Sequence, residues 1–162
     1  MLQGLAPVVT ADTRLVILGS FPGVASLAAQ QYYAHPRNRF WELVGAVIGI
    51  DLRAQAYDER LASLRAHRVG VWDVIAQAER EGSLDSAIRG HAPNALVELV
   101  ERLPQLRAIA FNGGTSARIG RRQLESLGRP LALIDLPSSS PAYTLAFEEK
   151  HRVWAGLAQA LA

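Results

Sequence analysis

An α/β fold on a parallel sheet is predicted by three observations. Four short apolar segments occur, three of them running into glycine, proline or serine, stretches with apolar residues at helical spacing separate them, and the overall length suits one hydrophobic core. The chain has 162 residues, 49% hydrophobic and 20% charged, which is ordinary for a single domain, taken here as 1–162. Strands that alternate with helices imply a parallel sheet covered on both faces. Functional loops then belong at the carboxyl ends of the strands.

The elements follow in order. Residues 14–19 (RLVILG) form an apolar run that stops at Gly19 and Pro22, a buried strand entering a loop over 20–37. Residues 38–48 carry helical spacing, and Asn38 is placed to cap that helix. A second amphipathic helix is expected over 57–68, and residues 67–75 (HRVGVWDVI) turn into a second strand. Residues 93–102 fit a helix with Pro93 in its first turn. A third strand is expected over 106–111, broken by Asn112-Gly113-Gly114, with a helix over 115–127 after it. Residues 131–136 give the fourth strand, ending in Pro137-Ser138-Ser139-Ser140-Pro141, and 145–161 the last helix.

Composition excludes several chemistries. The chain has no cysteine, so disulfide scaffolds, thiolate metal sites, cysteine nucleophiles and protein-ligated iron–sulfur clusters are ruled out. His35, His67, His91 and His151 show no paired metal-ligand spacing, and no metal or cofactor is expected. Neither glycine-rich piece matches the dinucleotide fingerprint or the phosphate loop. The serines at 138–140 lack the nucleophile elbow of a hydrolase. No apolar run approaches the roughly 20 residues that span a bilayer, and the N-terminus lacks a signal-peptide pattern. A soluble cytoplasmic monomer, without membrane contact, is the expectation. Of 17 basic residues, Lys150 is the sole lysine, and the net charge is only +2.

The stretch 19–41, GSFPGVASLAAQQYYAHPRNRFW, is the most informative. It crowds Tyr32, Tyr33, His35, Arg37, Asn38, Arg39 and Trp41 into a segment that periodicity leaves as a loop. Aromatic faces stack on bases and arginine forks grip phosphates, so the mixture suits an extruded nucleotide. A plainer role is also open, with the aromatics in the core and Asn38 only a helix cap.

GSFPG-x3-L-x4-YYAHPRNRFW, GVWDVI with GSLDSAI following, AFNGGTSA and LPSSSPA resemble, in order, the motifs of the uracil-DNA glycosylase superfamily, and within it the hypoxanthine-DNA glycosylase branch. The resemblance implies a three-layer α/β/α sandwich with a central four-stranded parallel sheet. It implies that Asn38 supplies the essential catalytic amide and that Tyr33 is the aromatic on which the flipped base stacks, although Tyr32 is a competing candidate. Phe21 stands where a related branch has a catalytic asparagine. Asp73 stands where relatives read the base, with Asn112 the next candidate, and the serine loop Ser138, Ser139 and Ser140 is implied to grip the DNA strand. Arg37 and Arg39 are the arginines placed for phosphates. Leu136 replaces a histidine that steadies a uracil anion in many relatives.

The implied activity is hydrolysis of the glycosidic bond of deaminated bases in DNA, chiefly hypoxanthine in deoxyinosine. An ionised Asp73 can accept the N1–H of hypoxanthine and repel the N1 lone pair of adenine. Asn38 would hold the attacking water or polarise the scission site. A Schiff-base route would need Lys150, so a monofunctional hydrolysis is expected. Uracil or mismatch excision remains open, as does a catalytically weak relative that only binds nucleic acid.

Overall fold

A computed structural model describes residues 1–162. Its elements in chain order are β1 (Leu2–Gln3), β2 (Leu15–Gly19), α1 (Val24–Ala29), α2 (Phe40–Ile48), α3 (Tyr57–Ala66), β3 (Val69–Asp73), β4 (Ile75–Glu79), β5 (Arg89–Pro93), α4 (Leu96–Glu101), β6 (Ala108–Asn112), α5 (Gly114–Leu124), β7 (Ala132–Leu136), α6 (Phe147–Ala155) and α7 (Ala158–Leu161).

The expected sheet is present, in the order β3-β2-β6-β7, with every pairing parallel. Strands β2, β3 and β6 are buried along their whole length, as strands covered on both faces must be. Helix α5 lies against β2, β6 and β7 and packs on α4, while α2 packs on α6, which lies against β7. The result is a three-layer α/β/α sandwich. No helix is long and apolar enough to cross a membrane.

Register positions the site. Gly19 pairs with Asp73, Leu18 with Phe111, and Asn112 with Leu136. The last residues of the four strands therefore stand side by side along one edge of the sheet.

Several boundaries differ from the sequence expectations. The loop over 20–37 contains the short helix α1, and the last helix is divided at Gly156-Leu157. Residues 76–92, for which no element was expected, form with Ile75 and Pro93 the antiparallel pair β4–β5, and β1 completes a small second sheet in the order β1-β4-β5. Pro93 is therefore not in a helix. It ends edge strand β5 opposite Ile75, where a residue without an N–H is tolerated. Helix α2 begins at Phe40, two residues after Asn38.

The chain leaves the parallel sheet at Val74 and enters β4 at Ile75, and this bend is pinned from two sides. The amides of Val74 and Ile75 donate to the carbonyls of Gly19 and Ser20. Asn94 donates its side-chain N–H groups to the carbonyls of Asp73 (2.8 Å) and Ile75 (3.2 Å). Asn94→Ala should strip both carbonyls of a partner and lower stability by about 1–3 kcal/mol. Urea unfolding of the two proteins checks this, and an unchanged midpoint would show that the bend holds without the amide.

Candidate active site

The carboxyl ends of the strands open into a crevice of about 460 Å³. It is lined by the loop from Gly19 to Gly23, by Ser26, Tyr32, Tyr33, His35 and Asn38, by Asp73, Asn112 and residues 138–143, and by Ser83, Leu84 and Asp85 from the β4–β5 excursion. Of the residues singled out by sequence, Asn38, Phe21, Tyr33, Asp73, Asn112 and Ser138 to Ser140 converge here. Arg37 and Arg39 lie outside the lining.

Tyr33 is held in a left-handed backbone conformation, φ 53°, which is strained for a residue with a Cβ. Three contacts hold it. Its ring stacks on Phe40 with centroids 3.9 Å apart and planes 9° from parallel, its carbonyl accepts the Trp41 indole N–H, and its hydroxyl accepts an N–H of Asn112 at 3.2 Å. Tyr32 is different: its ring is in the core and its hydroxyl donates to the carbonyl of Ala6 at 2.6 Å. The half-buried Tyr33 is thus the better placed of the two to offer a ring to a ligand.

The oxygen Oδ1 of Asn38 accepts the amide N–H of Phe40 at 3.0 Å. This bond orients the side chain and closes a turn just ahead of α2, whose N-cap position falls on Arg39 and not on Asn38 as expected, while the amide nitrogen has no protein partner and the residue lines the crevice. His35 also lines the crevice. Its Nδ1 accepts the Arg37 amide N–H at 3.1 Å, which leaves the proton of the neutral ring on Nε2.

Asn112 is fully engaged. Its Oδ1 accepts from the Ser139 amide (2.9 Å), and its Nδ2 donates to Ser139 Oγ (2.9 Å) and to the Tyr33 hydroxyl. Ser138 Oγ accepts the Ser140 amide, and Ser140 Oγ the Ala142 amide. Lys150 is buried beneath this loop and donates to the Ser140 carbonyl at 3.1 Å. Burial, and secondarily Arg39, lower its pKa. Arg39 donates its backbone N–H to the Ser139 carbonyl, while its guanidinium grips Glu42 and lies 3.9 Å from the Phe147 ring centroid. Arg37 is exposed and forms no ion pair.

Asp73 is the electrostatic anomaly. It is 4% exposed, and its Oδ2 has no hydrogen-bond partner. Burial and then the nearby Asp85 carboxylate push its pKa up to about 7, against an opposing pull from Arg80. Gly19 makes the room: a Cβ there would lie 2.5 Å from Asp73 Oδ1 and 2.7 Å from the Tyr33 hydroxyl. Asp73 and Tyr33 thus both converge on one glycine.

Sequence reasoning gave no role to Ser20, Arg80 or Asp85. Ser20 Oγ donates to Asp85 Oδ1 at 2.7 Å, closing the excursion onto the β2 loop. Arg80 donates to the carbonyls of Pro22 and Gly82 and sits 5.4 Å from the Phe21 ring centroid. The only available signal was a carboxylate within the glycine- and serine-containing segment after the second strand.

Similarity to known proteins is extensive. The Uracil DNA glycosylase superfamily profile matches residues 6–158. A protein named Hypoxanthine DNA glycosylase from Methanosarcina barkeri is 37% identical over 153 residues, 94% of this chain and 95% of its own length. Another of that name, from Methanosarcina acetivorans, is 38% identical over 152 residues, 94% of either chain. A solution NMR structure from Methanosarcina acetivorans, described there as a candidate uracil DNA glycosylase, superposes with a TM-score of 0.87 at 37% identity, covering 98% of this chain and 97% of that one. The fold, the crevice and these matches define a DNA glycosylase. The chain belongs to the uracil DNA glycosylase superfamily.

The raised pKa of Asp73 has a stability consequence with a definite sign. Free aspartate titrates near 3.8 and the folded group near 7. Between about pH 4 and 7 the native state therefore holds more protons than the unfolded chain, and stability falls as pH rises through that window. Asp73→Asn should remove this slope. Its melting temperature should exceed that of the parent at pH 8, by an amount reflecting up to a few kcal/mol at about 1.4 kcal/mol per unit, and converge with it at pH 4. Thermal melts at pH 4, 6 and 8 decide, and parallel curves would show that Asp73 titrates normally.

Proposed function

We propose that this protein is a monofunctional glycosylase that removes hypoxanthine from deoxyinosine in DNA by simple hydrolysis. In this reading it acts as a monomeric single domain in the cytoplasm, without a cofactor. The carrying observation is the buried, unpartnered Oδ2 of Asp73 in a crevice that also presents the Tyr33 ring and the Asn38 amide. An extruded base stacks on Tyr33, with Phe40 behind it. Ionised Asp73 accepts its N1–H. A lone acceptor at that depth strongly favours a base that brings a donor, because otherwise it stays unpaired. The names of the two Methanosarcina relatives support the choice of hypoxanthine.

At the scission site the anomeric carbon gains positive character as the base departs. Asn38, oriented by the Phe40 amide, positions the attacking water against it. Lys150 is spent on the Ser140 carbonyl and is absent from the lining, which supports hydrolysis over a Schiff-base route. Ser138 to Ser140 hold the strand beside the extruded nucleotide. Arg37 is the free guanidinium for a phosphate, while Arg39 shapes the serine loop. Phe21 closes the crevice wall, and Asn112 positions Tyr33 and the serine loop around the base.

Asn38→Ala should reduce single-turnover hypoxanthine release by about 10²–10³-fold while leaving affinity for the inosine duplex nearly unchanged. Loss of the Phe40 contact should lower stability by only about 0.5–2 kcal/mol. A variant that is destabilised but releases base at the parent rate would reduce Asn38 to a cap. Parallel duplexes containing uracil, or no altered base, separate hypoxanthine removal from uracil removal and from mere binding.

Asp73 faces Asp85, Arg80 and Tyr33, and its proton decides which bases it can meet. Above about pH 7 the carboxylate accepts from N1–H; below it the acid can donate to the N1 of adenine. Selectivity for inosine over adenine should rise with pH between 6 and 8 in the parent and become flat in Asp73→Asn. A pH-independent ratio in the parent would move base reading to another residue.

A further inference from the structure

The lining of the crevice contains two carboxylates, Asp73 and Asp85, and no lysine or arginine. That is an unusual charge balance for a protein whose substrate is a polyanion, and it repels phosphate while attracting any base that carries positive charge. The buried member, Asp73, has an oxygen with no partner in the protein. Two aromatic rings line the same crevice: Tyr33, backed by Phe40, and Phe21, already close enough to a cation to hold the Arg80 guanidinium 5.4 Å from its centroid. Carboxylates together with aromatic faces are the pattern that holds delocalised organic cations.

We propose that the same crevice also excises cationic N-alkylated purines, of which 7-methylguanine is the simplest, an activity that rests on the glycosylase reading and widens its substrate class. The hydrolysis balances without further help. Water oxygen bonds to C1′ as the C1′–N9 bond breaks, the bonding pair moves into the purine and cancels its positive charge, and the water proton passes to solvent. The base leaves neutral. No group is then needed to steady an anionic base, and the crevice lining offers no lysine or arginine that could do so. Asp85 adds its charge from the crevice rim, where Ser20 fixes its carboxylate.

The experiment uses the full chain and duplexes with a single 7-methylguanine or a single inosine, with the released base quantified by chromatography at neutral pH under single-turnover conditions. Release of 7-methylguanine should exceed the spontaneous rate by at least about tenfold. Asp85→Asn, at an exposed position and compared with the parent at pH 8, where Asp73 is largely ionised in both, should lower the ratio of 7-methylguanine to hypoxanthine release by about threefold or more, because charge then matters for one base and much less for the other. Hypoxanthine release with 7-methylguanine at its spontaneous rate overturns this inference and leaves the proposed function standing. Release of 7-methylguanine alone supports it and overturns the choice of hypoxanthine. Release of neither overturns both, and an unchanged ratio in the variant overturns the role of the carboxylate pair.

Discussion

The side-chain amide of Asn112 is held between segments that are far apart in the chain and almost closed to water. Its oxygen takes the Ser139 amide proton, and its nitrogen serves both the Ser139 hydroxyl and the Tyr33 hydroxyl. Each of these groups would otherwise be a buried polar atom without a partner, an omission worth about 1–3 kcal/mol. One amide therefore fixes the distance between the end of β6, the serine loop and the strained turn at Tyr33. Other contacts serve the same loop: the Trp154 indole donates to the Pro137 carbonyl, Lys150 to the Ser140 carbonyl, and the Arg39 amide to the Ser139 carbonyl. The crevice has a defined shape because these bonds leave the loop few alternatives.

Within that network of paired groups, Asp73 is the buried side chain left with an idle oxygen. Three influences set its state. Burial opposes the charge, Asp85 opposes it further, and Arg80 restores part of what they remove. A carboxyl kept buried without a full set of partners weakens the fold, and such tension is characteristic of positions retained for ligand chemistry. Gly19 is the structural condition for it, since any side chain there would collide with the carboxylate and with the Tyr33 hydroxyl.

The parallel sheet was legible because β2, β3, β6 and β7 are short apolar runs, three of them with turn residues after them, and burial of β2, β3 and β6 on both faces leaves a pattern strong enough to read. Asn38, Tyr33 and Asp73 were legible by resemblance; strand register sets Asp73 beside the other strand ends, while the loop carrying Tyr33 and Asn38 is drawn in by the Asn112–Tyr33 and Arg39–Ser139 hydrogen bonds. The β4–β5 pair was not legible. IAQAE and RGHAP are short and hold one large apolar side chain, Ile75, between them, and their pairing is broken by register shifts, so neither alternation nor apolarity marks them. The division between Tyr32 and Tyr33 was equally hidden, because it depends on a left-handed turn at the second of two identical residues. The Arg39–Glu42 pair is local, at a spacing of three, but the seating of Arg39 over Phe147 is tertiary and has no separate signature.

The missed excursion changes how the site is understood. Asp73 and Asn112 are strand ends and Asn38 precedes a core helix, so their positions are tied to the packing of the sandwich. Asp85 and Arg80 come from a segment outside the parallel sheet, fastened to the β2 loop by Ser20 and by the Pro22 carbonyl. Their charges act on Asp73, whose proton affinity they push in opposite directions. The crevice thus draws its side chains from different parts of the fold. Changes in the excursion can shift the proton affinity of Asp73 while the sheet, the Tyr33 turn and the amide of Asn38 stay where they are.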